Sequence, residues 1–310
     1  KYTLFAEGCR GHLGKQLIAK YALDEASGTQ HYALGIKELW EIEPSRHQAG
    51  KTIHSFGWPL SKNGATGGAF LYHADNNQVS LGLITDLNYR NPNLSPFDEL
   101  QQWKHHPEIA KYLKNGKRIS YGARAINKGG LQALPKLSFP GGLLSGCEAG
   151  FMNYPKIKGS HTAMKTGMVA AETLFKALSA PSTASRTLEH YEQAIEQSWV
   201  YDELHSSRNV APAMHRFGMI LGSIFSFFDY GLLRGKLPLT LQDPEPDFAT
   251  LQTTASSKAI EYPKPDGKIS FDKLSSVYLS NTHHEEHQAC HLILTEPDKA
   301  IAHNLPLFDE

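Results

Sequence analysis

The apolar residues between positions 164 and 178 recur at steps of three and four, a spacing that predicts one apolar face on a helix. The residues that share this spacing are Met164, Gly167, Met168, Ala171, Leu174, Phe175 and Leu178. Leu143 and Leu144 precede them as a short predicted strand, and a loop rich in small residues joins the two elements. The stretch 141–178 is therefore predicted as strand, glycine-rich loop and long amphipathic helix.

Two other segments show helical spacing. Residues 2–6 indicate a strand, and after a turn at Glu7-Gly8 an apolar stripe follows at steps of four residues: Leu13, Leu17 and Tyr21. Residues 186–205 are predicted as a single helix whose apolar face serves core packing, formed by Leu188, Tyr191, Ile195 and Trp199. The first of these is an ordinary strand–helix unit by its pattern alone.

Alternation replaces helical spacing between residues 28 and 130. Residues 32–42 alternate as a half-buried strand, interrupted only by Glu38, and residues 70–83 form a hairpin around the polar turn 74–77. Ser95 followed by Pro96 predicts the start of a capped helix, and Pro107 starts a second short one. This region is therefore predicted as a mainly antiparallel sheet with inserted helices.

The loop before the long helix has the composition of a ligand site. Gly146, Gly150 and Gly159 let a ligand approach the backbone, and the N–H groups at a helix N-terminus favour a negatively charged group. A glycine pattern of this kind also occurs where strand and helix merely pack together. The pattern alone leaves both interpretations open.

Gly67 and Gly68 form a second candidate site. Adjacent glycines beside aromatic and apolar neighbours let a flat ring lie against the backbone, with main-chain groups as its polar partners. The alternative is a tight turn or bulge before a strand, which is the interpretation that the sequence alone favours.

Residues 217–235 form an apolar segment that is too short to span a bilayer. No charge occurs in residues 217–228, and Asp229 then interrupts the run, whereas a spanning helix needs about 20 apolar residues. Basic residues flank the segment on both sides: His215, Arg216, Arg234 and Lys236. The pattern is typical of a helix in one membrane interface, and a buried core helix is the alternative.

Composition excludes several classes of protein. The chain has 310 residues with 31 basic and 31 acidic side chains, so the basic excess of a nucleic-acid-binding protein is absent. Cys9, Cys147 and Cys290 lie far apart, which argues against a disulfide framework or a zinc site. The histidines and glutamates of residues 283–287 are interpreted as solvated, so no metal ligand set is predicted in this chain.

The C-terminal part shows few helix signals. Residues 261–280 are predicted as a loop leading into short strands, and residues 291–294 as another strand. The chain begins at Lys1 with a strand-like run and without an initiator methionine, so we interpret it as a fragment.

Several blocks of the chain, in order, resemble one flavoenzyme family. GGLLSGCEAGFMNYPKIKGSHTAMKTGMVAAE (residues 141–172) is similar to the second flavin-contacting motif of the electron-transfer flavoprotein:ubiquinone oxidoreductase family. The other blocks are FAEGCRGHL (5–13), GWPL and GGAFLYH (57–73), KRISYGARAINKGGLQALPKLSFPGG (117–142) and EYPKPDGKISFDKLSSV (261–277). Together they cover essentially the whole chain.

The resemblance implies an α/β (α+β) fold: an incomplete FAD-binding, Rossmann-like domain with an inserted, mainly antiparallel quinone-binding domain. The implied bounds are residues 1–30 and 132–240 for the FAD domain, ending in an interfacial membrane helix at 217–235. Residues 31–131 are the ubiquinone-binding insertion, and 241–310 lead into the iron–sulfur domain.

The resemblance also implies the chemistry. Electrons pass from reduced electron-transfer flavoprotein through a [4Fe–4S] cluster and FAD to ubiquinone, as in electron transport from fatty acid oxidation. Gly67 and Gly68 are implied as the ubiquinone-binding residues, and the implied cofactor-binding residues are Gly8, Gly146, Gly150, Gly159, Thr162 and Met164. The hydroxyl of Thr162 is our candidate to hydrogen-bond the flavin, and no catalytic side chain is expected.

Parts of the family pattern are not in this chain. The GxGxxG motif for the FAD pyrophosphate lies before Lys1 in the family and the four cluster cysteines lie after Glu310, so the fragment alone is expected to be inactive. Cys147 stands where many related flavoproteins carry Asp. The implied location is monotopic, on the bacterial cytoplasmic membrane or the matrix face of the mitochondrial inner membrane. The alternatives are an FAD-dependent monooxygenase or prenyl reductase of the same fold, or a non-enzymatic membrane-surface binding module.

Overall fold

A computed structural model describes residues 1–179, 187–243, 245–288 and 296–302. Its strands are β1 (Thr3–Phe5), β2 (Tyr32–Glu41), β3 (Thr52–Phe56), β4 (Gly67–His73), β5 (Gln78–Asp86), β6 (Lys117–Asn127), β7 (Ser138–Phe139) and β8 (Gly142–Leu144). Its helices are α1 (His12–Tyr21), α2 (Pro96–Lys104), α3 (Pro107–Leu113), α4 (Ser160–Ser179), α5 (His190–Glu196), α6 (Trp199–Ser207), α7 (Val210–Ser226), α8 (Lys273–Leu279) and α9 (Pro297–Ala302). A π-helical turn, Phe227–Leu232, extends α7.

The strands form two sheets. The larger is five-stranded and antiparallel throughout, in the order β3-β4-β5-β2-β6, so the predicted hairpin between β4 and β5 is confirmed. The smaller has the order β1-β8-β7, with β1 parallel to β8 and Phe5 opposite Leu144. Two hydrophobic cores follow this division. One lies between the large sheet and helices α2 and α3, and the other lies between the small sheet and helices α4 to α6.

The caps predicted for the helices of the large-sheet region are confirmed. Ser95 lies at the N-cap of α2, where its hydroxyl accepts a hydrogen bond from the Asp98 backbone N–H at 3.3 Å, and Pro96 occupies the first helical position. Pro107 begins α3.

The sequence suggested that Glu38 interrupts the buried face of β2. In the structure, Glu38 is itself buried on that face. Its side chain is 1% exposed and contacts the Lys104 ammonium at 2.8 Å, the Arg118 guanidinium at 3.2 Å and the Trp40 indole N–H at 2.8 Å. A buried carboxylate requires such partners, because an unpaired charge in the core is costly. Burial therefore alternates without a break from Ile36 to Ile42.

The predicted long helix is confirmed as α4, and much of its apolar face is exposed within this chain. Met164, Met168, Phe175 and Leu178 are between 54% and 72% exposed, whereas the buried residues are Thr162, Thr166, Val169 and Ala170. These smaller side chains allow close packing, and the Tyr191 hydroxyl donates to the Thr166 carbonyl oxygen at 3.3 Å. The apolar spacing therefore predicted the helix, and the side that it buries in this chain is formed by smaller side chains.

Two further predictions are wrong. The single helix expected at residues 186–205 is broken at Ser198, whose extended backbone caps α6 while its hydroxyl donates to the Ile195 carbonyl oxygen at 2.7 Å; Trp199 is 45% exposed. In place of the strands expected within residues 261–280, helix α8 forms, and its N-terminus is capped by the Asp272 carboxylate, which accepts from the Ser275 N–H at 2.8 Å. The strand predicted at residues 291–294 lies outside the described residues, as does Cys290.

Candidate functional site

The strand–loop–helix junction brings two predicted glycine turns together. Gly8 (φ +91°) follows β1 and Gly146 (φ +64°) follows β8, and these two strands are paired. Gly150 has φ +98°. Such left-handed backbone favours glycine. Gly159, another of the predicted residues, lies beside Met152: a Cβ added at Gly159 would be 3.4 Å from the Met152 side chain. Met164, also predicted, is 71% exposed on the outer face of α4.

Two thiols lie side by side in this junction. A hydrogen bond from Cys9, together with the positive charge of Arg124, lowers the pKa of the Cys147 thiol to about 6 although its burial acts in the opposite direction. The same pairing, with burial, raises the pKa of Cys9. The Cys147 thiol is therefore a potential anion in this junction.

The Thr162 hydroxyl is committed to the junction. The side chain is fully buried, and its hydroxyl donates to the Phe151 carbonyl oxygen and lies 2.9 Å from the Gly159 carbonyl oxygen. These contacts tie the glycine-rich loop to the first turn of α4. The expected bond between this hydroxyl and a flavin stays a prediction: with its proton given to a carbonyl oxygen, the hydroxyl can still accept a hydrogen bond through its lone pairs.

Glu148 is a junction residue that the sequence reasoning missed. Its side chain is 4% exposed, and a Cβ added to Gly14 of α1 would lie 1.8 Å from Glu148 Oε1. Burial, followed by the nearby charge of Glu7, raises the pKa of the Glu148 carboxyl. Its Oε2 and the Gln30 Oε1 are buried without a hydrogen-bond partner within the described part of the chain. Gly11 and Gly14 leave the space that this carboxyl occupies, and this pair of glycines is the sequence feature that could have indicated a buried group beside α1.

A cavity of about 650 Å³, here called the apolar cavity, lies between the large sheet, the loop 152–157 and the segment 210–231. Apolar residues dominate its wall: Ala33, Phe56, Ala65, Ile84, Ile126, Met152, Pro155, Ile157, Val210, Met214, Met219 and Phe227. Both predicted glycines, Gly67 and Gly68, also line it. Its volume is in the range of cavities that hold small-molecule ligands.

Packing of the sheet explains the two glycines directly. A Cβ at Gly67 (φ +151°) would lie 2.1 Å from the Ile84 carbonyl oxygen, and one at Gly68 would lie 3.1 Å from the Ser55 carbonyl oxygen. The close approach of neighbouring strands thus requires small residues here. The two glycines begin β4 and pair regularly with its neighbours, so the turn or bulge before a strand that was the alternative does not form. The same backbone forms part of the cavity wall.

Polar residues that the sequence reasoning missed form one part of the apolar cavity. The Asp86 carboxylate is 2% exposed and contacts the Lys128 ammonium at 3.0 Å, the Thr66 hydroxyl at 2.6 Å and the Tyr154 hydroxyl at 3.3 Å. Burial acts to raise the pKa of Asp86, but Lys128, Thr66 and His215 hold it below its usual value. Burial and the Asp86 charge raise the pKa of Tyr154 well above its usual value, so that hydroxyl is a donor.

The segment predicted as an interfacial helix presents an exposed apolar surface beside this cavity. Gly218 (φ +73°, ψ 179°) interrupts α7, and exposed apolar residues follow it: Met219, Ile220, Leu221, Ile224, Phe227, Phe228, Leu232 and Leu233. Asp229 is 1% exposed and accepts from the Asn209 amide at 2.8 Å, so it faces inward and leaves the surface uninterrupted. Among the described residues, no helix combines the length and hydropathy needed to cross a bilayer.

A second cavity of about 720 Å³, the basic cavity, lies between β6 and the segment 266–279. Its charged lining residues are Lys114, Lys117, Arg118, Asp266 and Lys268. Arg118 is committed to Glu38 and to the Ser276 hydroxyl, which it approaches to 2.6 Å. The two cavities have similar volumes, so volume alone does not show which of them binds a ligand.

The fold belongs to a known class. The crystal structure of a geranylgeranyl bacteriochlorophyll reductase-like protein from Thermoplasma acidophilum matches with a TM-score of 0.53 and 14% identity, over 81% of this chain and 58% of that chain. At this identity the likeness shows the fold alone: the chain shares the mixed helix-and-sheet fold of that protein.

Sequence relatives show the family. The profile "ETF-QO, ubiquinone-binding" matches residues 32–126, and "Electron transfer flavoprotein-ubiquinone oxidoreductase, 4Fe-4S" matches residues 267–310. The electron transfer flavoprotein-ubiquinone oxidoreductase of Pseudomonas aeruginosa is 57% identical, over all of this chain and 56% of that protein. The human mitochondrial protein of the same name is 49% identical, over all of this chain and 51% of its own length. The chain belongs to the electron transfer flavoprotein-ubiquinone oxidoreductase family and spans about half the length of these relatives.

Proposed function

We propose that the full-length protein containing this chain passes electrons from reduced electron transfer flavoprotein, through a [4Fe–4S] cluster and FAD, to ubiquinone. The observation that carries the proposal is the apolar cavity, whose sheet side is formed by residues matched by the ubiquinone-binding profile and whose other side is formed by the loop 152–157 and the segment 210–231. It combines an apolar wall with a small group of buried polar side chains, as expected for a quinone ring with two carbonyl oxygens. The names of relatives at 49–57% identity support the same activity.

The junction between β8 and α4 fits FAD. Gly8, Gly146 and Gly150 have left-handed backbone conformations and no side chains, so a ligand can approach the backbone closely. The buried side-chain oxygens of Gln30 and Glu148 that lack a hydrogen-bond partner among the described residues are available to a ligand's hydroxyl groups. Bound FAD supplies the electron-carrying chemistry. The chain supplies the loop and the N-terminus of α4, which favours negative charge.

The described residues do not fit a [4Fe–4S] cluster. Such a cluster needs four thiolates, whereas the described cysteines are Cys9 and Cys147, which are paired with each other in the flavin-side junction. We propose that the cluster ligands lie outside this chain, as the resemblance to the family implies. We also propose the domain bounds 1–30, 31–131, 132–240 and 241–310.

We further infer that the exposed apolar surface of residues 219–233 lies in a membrane interface. Arg216, Arg234 and Lys236 are exposed at its ends, whereas His215 is turned inward and takes no part. Met219 and Phe227 belong both to this surface and to the cavity wall, so a quinone with a lipid-soluble tail has a direct path from the bilayer. The proposed membrane is the bacterial cytoplasmic or mitochondrial inner membrane.

A pair of substitutions in α7 tests the cavity assignment. Ser223 lines the apolar cavity, whereas Leu221 is 64% exposed on the same helix and does not line it. In the full-length protein, Ser223→Trp should raise the KM for a short-tailed ubiquinone about tenfold, because overpacking costs about 1–3 kcal/mol. Leu221→Trp should leave that KM within about twofold.

Quinone reduction by reduced electron transfer flavoprotein is the assay, and ferricenium reduction is the control for electron delivery that bypasses the quinone. Equal KM values in the two variants and the native protein would contradict the assignment. A native protein that reduces ferricenium but not ubiquinone would contradict the proposed function itself.

A further inference from the structure

The polar group of the apolar cavity continues into a row of buried side chains. Behind Asp86 and Lys128, the Lys128 ammonium lies 3.2 Å from Nε2 of His215. The side chain of His215 is 6% exposed. Lys128 therefore contacts the cavity on one side and an imidazole on the other.

The row leads on from His215 to the carboxylate of Asp243. Nδ1 of His215 hydrogen-bonds Asp243 Oδ2, and the same oxygen lies 3.3 Å from Nε2 of His31. Burial acts to raise the pKa of Asp243, but His215, His31 and Lys128 hold it below its usual value, so it accepts from both rings. Asp247 orients His31 through a 2.8 Å contact to Nδ1.

The far end of the row is accessible to water. The Asp243 side chain is 17% exposed, whereas those of Lys128 and Asp86 are 1% and 2% exposed. Asp243 and His31 also line a small cavity of about 20 Å³, apart from the apolar cavity. The row thus begins near solvent and ends in the cavity wall.

We propose that Asp243, His31, His215 and Lys128 form a proton relay that supplies the quinone bound in the apolar cavity. The proposal rests on the proposed function, because a quinone becomes a quinol only by gaining protons as well as electrons. Two electrons from the reduced enzyme and two protons form two new O–H bonds. The Lys128 ammonium gives one proton at a time to a quinone oxygen, and His215 reprotonates the resulting amine through Nε2. A proton taken from solvent at the Asp243 end, by the Asp243 carboxylate or by His31 beside it, then reprotonates His215 through Nδ1.

Two other roles fit this cluster less well. A purely structural tie between β5, β6 and α7 would not need a partly exposed carboxylate at one end. A bound metal ion would have to displace hydrogen bonds that both rings already make, and it would lie close to the Lys128 ammonium. Imidazoles in series between water and a buried ammonium are, in contrast, suited to moving protons.

The test uses His215→Gln in the full-length protein. A glutamine amide can still donate to Asp243 and accept from Lys128, but it cannot take up and release a proton as an imidazole does. The matched control is His73→Gln, since His73 is 4% exposed in β4 and takes no part in the row. The measurements are kcat and KM for ubiquinone, ferricenium reduction, and proton uptake in a single turnover, followed with a pH indicator.

His215→Gln should lower kcat for ubiquinone and the rate of proton uptake by about 100-fold, with KM and ferricenium reduction unchanged. His215→Ala should show the same loss and regain activity with added imidazole. Native kcat and proton uptake in His215→Gln would overturn the relay, and so would a loss of ferricenium reduction or a raised KM, which indicate a structural role. If neither His215 variant folds, Asp243→Asn at the solvent end provides the same comparison. A native protein without quinone activity would instead overturn the proposed function.

Discussion

The apolar cavity and the basic cavity have similar volumes, about 650 and 720 Å³, but opposite chemistry. The charged groups of the basic cavity are either in contact with solvent or, like Arg118, paired with other parts of the protein. Those of the apolar cavity are buried and lie next to a wall of methionine, isoleucine and bare backbone. Volume does not distinguish the two as binding sites, whereas the burial of a few polar groups in an apolar wall does.

The largest effect is expected from the glycine that forms the wall of the apolar cavity. Gly67→Ala places a Cβ 2.1 Å from the Ile84 carbonyl oxygen at a φ of +151°, which should lower the free energy of unfolding by about 3 kcal/mol. Gly122→Ala in β6 is the control, because no atom lies within 4 Å of its Cβ. Thermal unfolding measures both. Equal melting temperatures would show that sheet packing does not require glycine at position 67.

A smaller effect is expected in the basic cavity, where Asp266 has a structural role. Its carboxylate accepts from the backbone N–H groups of Lys268, Ile269 and Ser270 at 2.8–2.9 Å. Burial acts to raise its pKa, but these bonds hold the pKa well below its usual value. Asp266→Asn should therefore cost about 1 kcal/mol at pH 7, after allowance for solvent screening, and leave the KM for ubiquinone unchanged.

The pH dependence of that cost has a definite sign. Because the folded pKa of Asp266 is depressed, its stabilisation is fully present above the unfolded pKa of about 4 and is lost as the pH falls below it. The difference in melting temperature between native protein and Asp266→Asn should shrink over that range. Asp75→Asn, in an exposed turn, is the control. A difference that is constant with pH would mean that the charge of Asp266 does not matter.

Local patterns were sufficient to predict much of the fold. The alternation in β2, β4 and β5 and the Ser95-Pro96 cap each depend on neighbours in sequence, and the structure confirms them. Glu38 could not be placed from its neighbours, because its partners Lys104 and Arg118 are 66 and 80 residues away. The buried side of α4 was also not predictable, since it depends on which small residues pack closest.

The candidate site was predictable only in part. Gly67 and Gly68 do line the apolar cavity, but no local pattern marks Asp86, Lys128 and Tyr154, which come from three separate segments. These residues meet because β5, the end of β6 and the loop 152–157 converge. The resemblance to the family, rather than the glycine pattern alone, pointed to these two residues, and tertiary structure supplied the polar groups of the cavity.

Photoaffinity labelling with an azido-ubiquinone, followed by mass spectrometry of the full-length protein, tests the central claim most directly. The account predicts cross-links in residues 54–68, 152–157 and 210–231, which disappear when excess ubiquinone competes. Competed cross-links confined to residues 114–118 and 266–279 would place the quinone in the basic cavity and contradict the account.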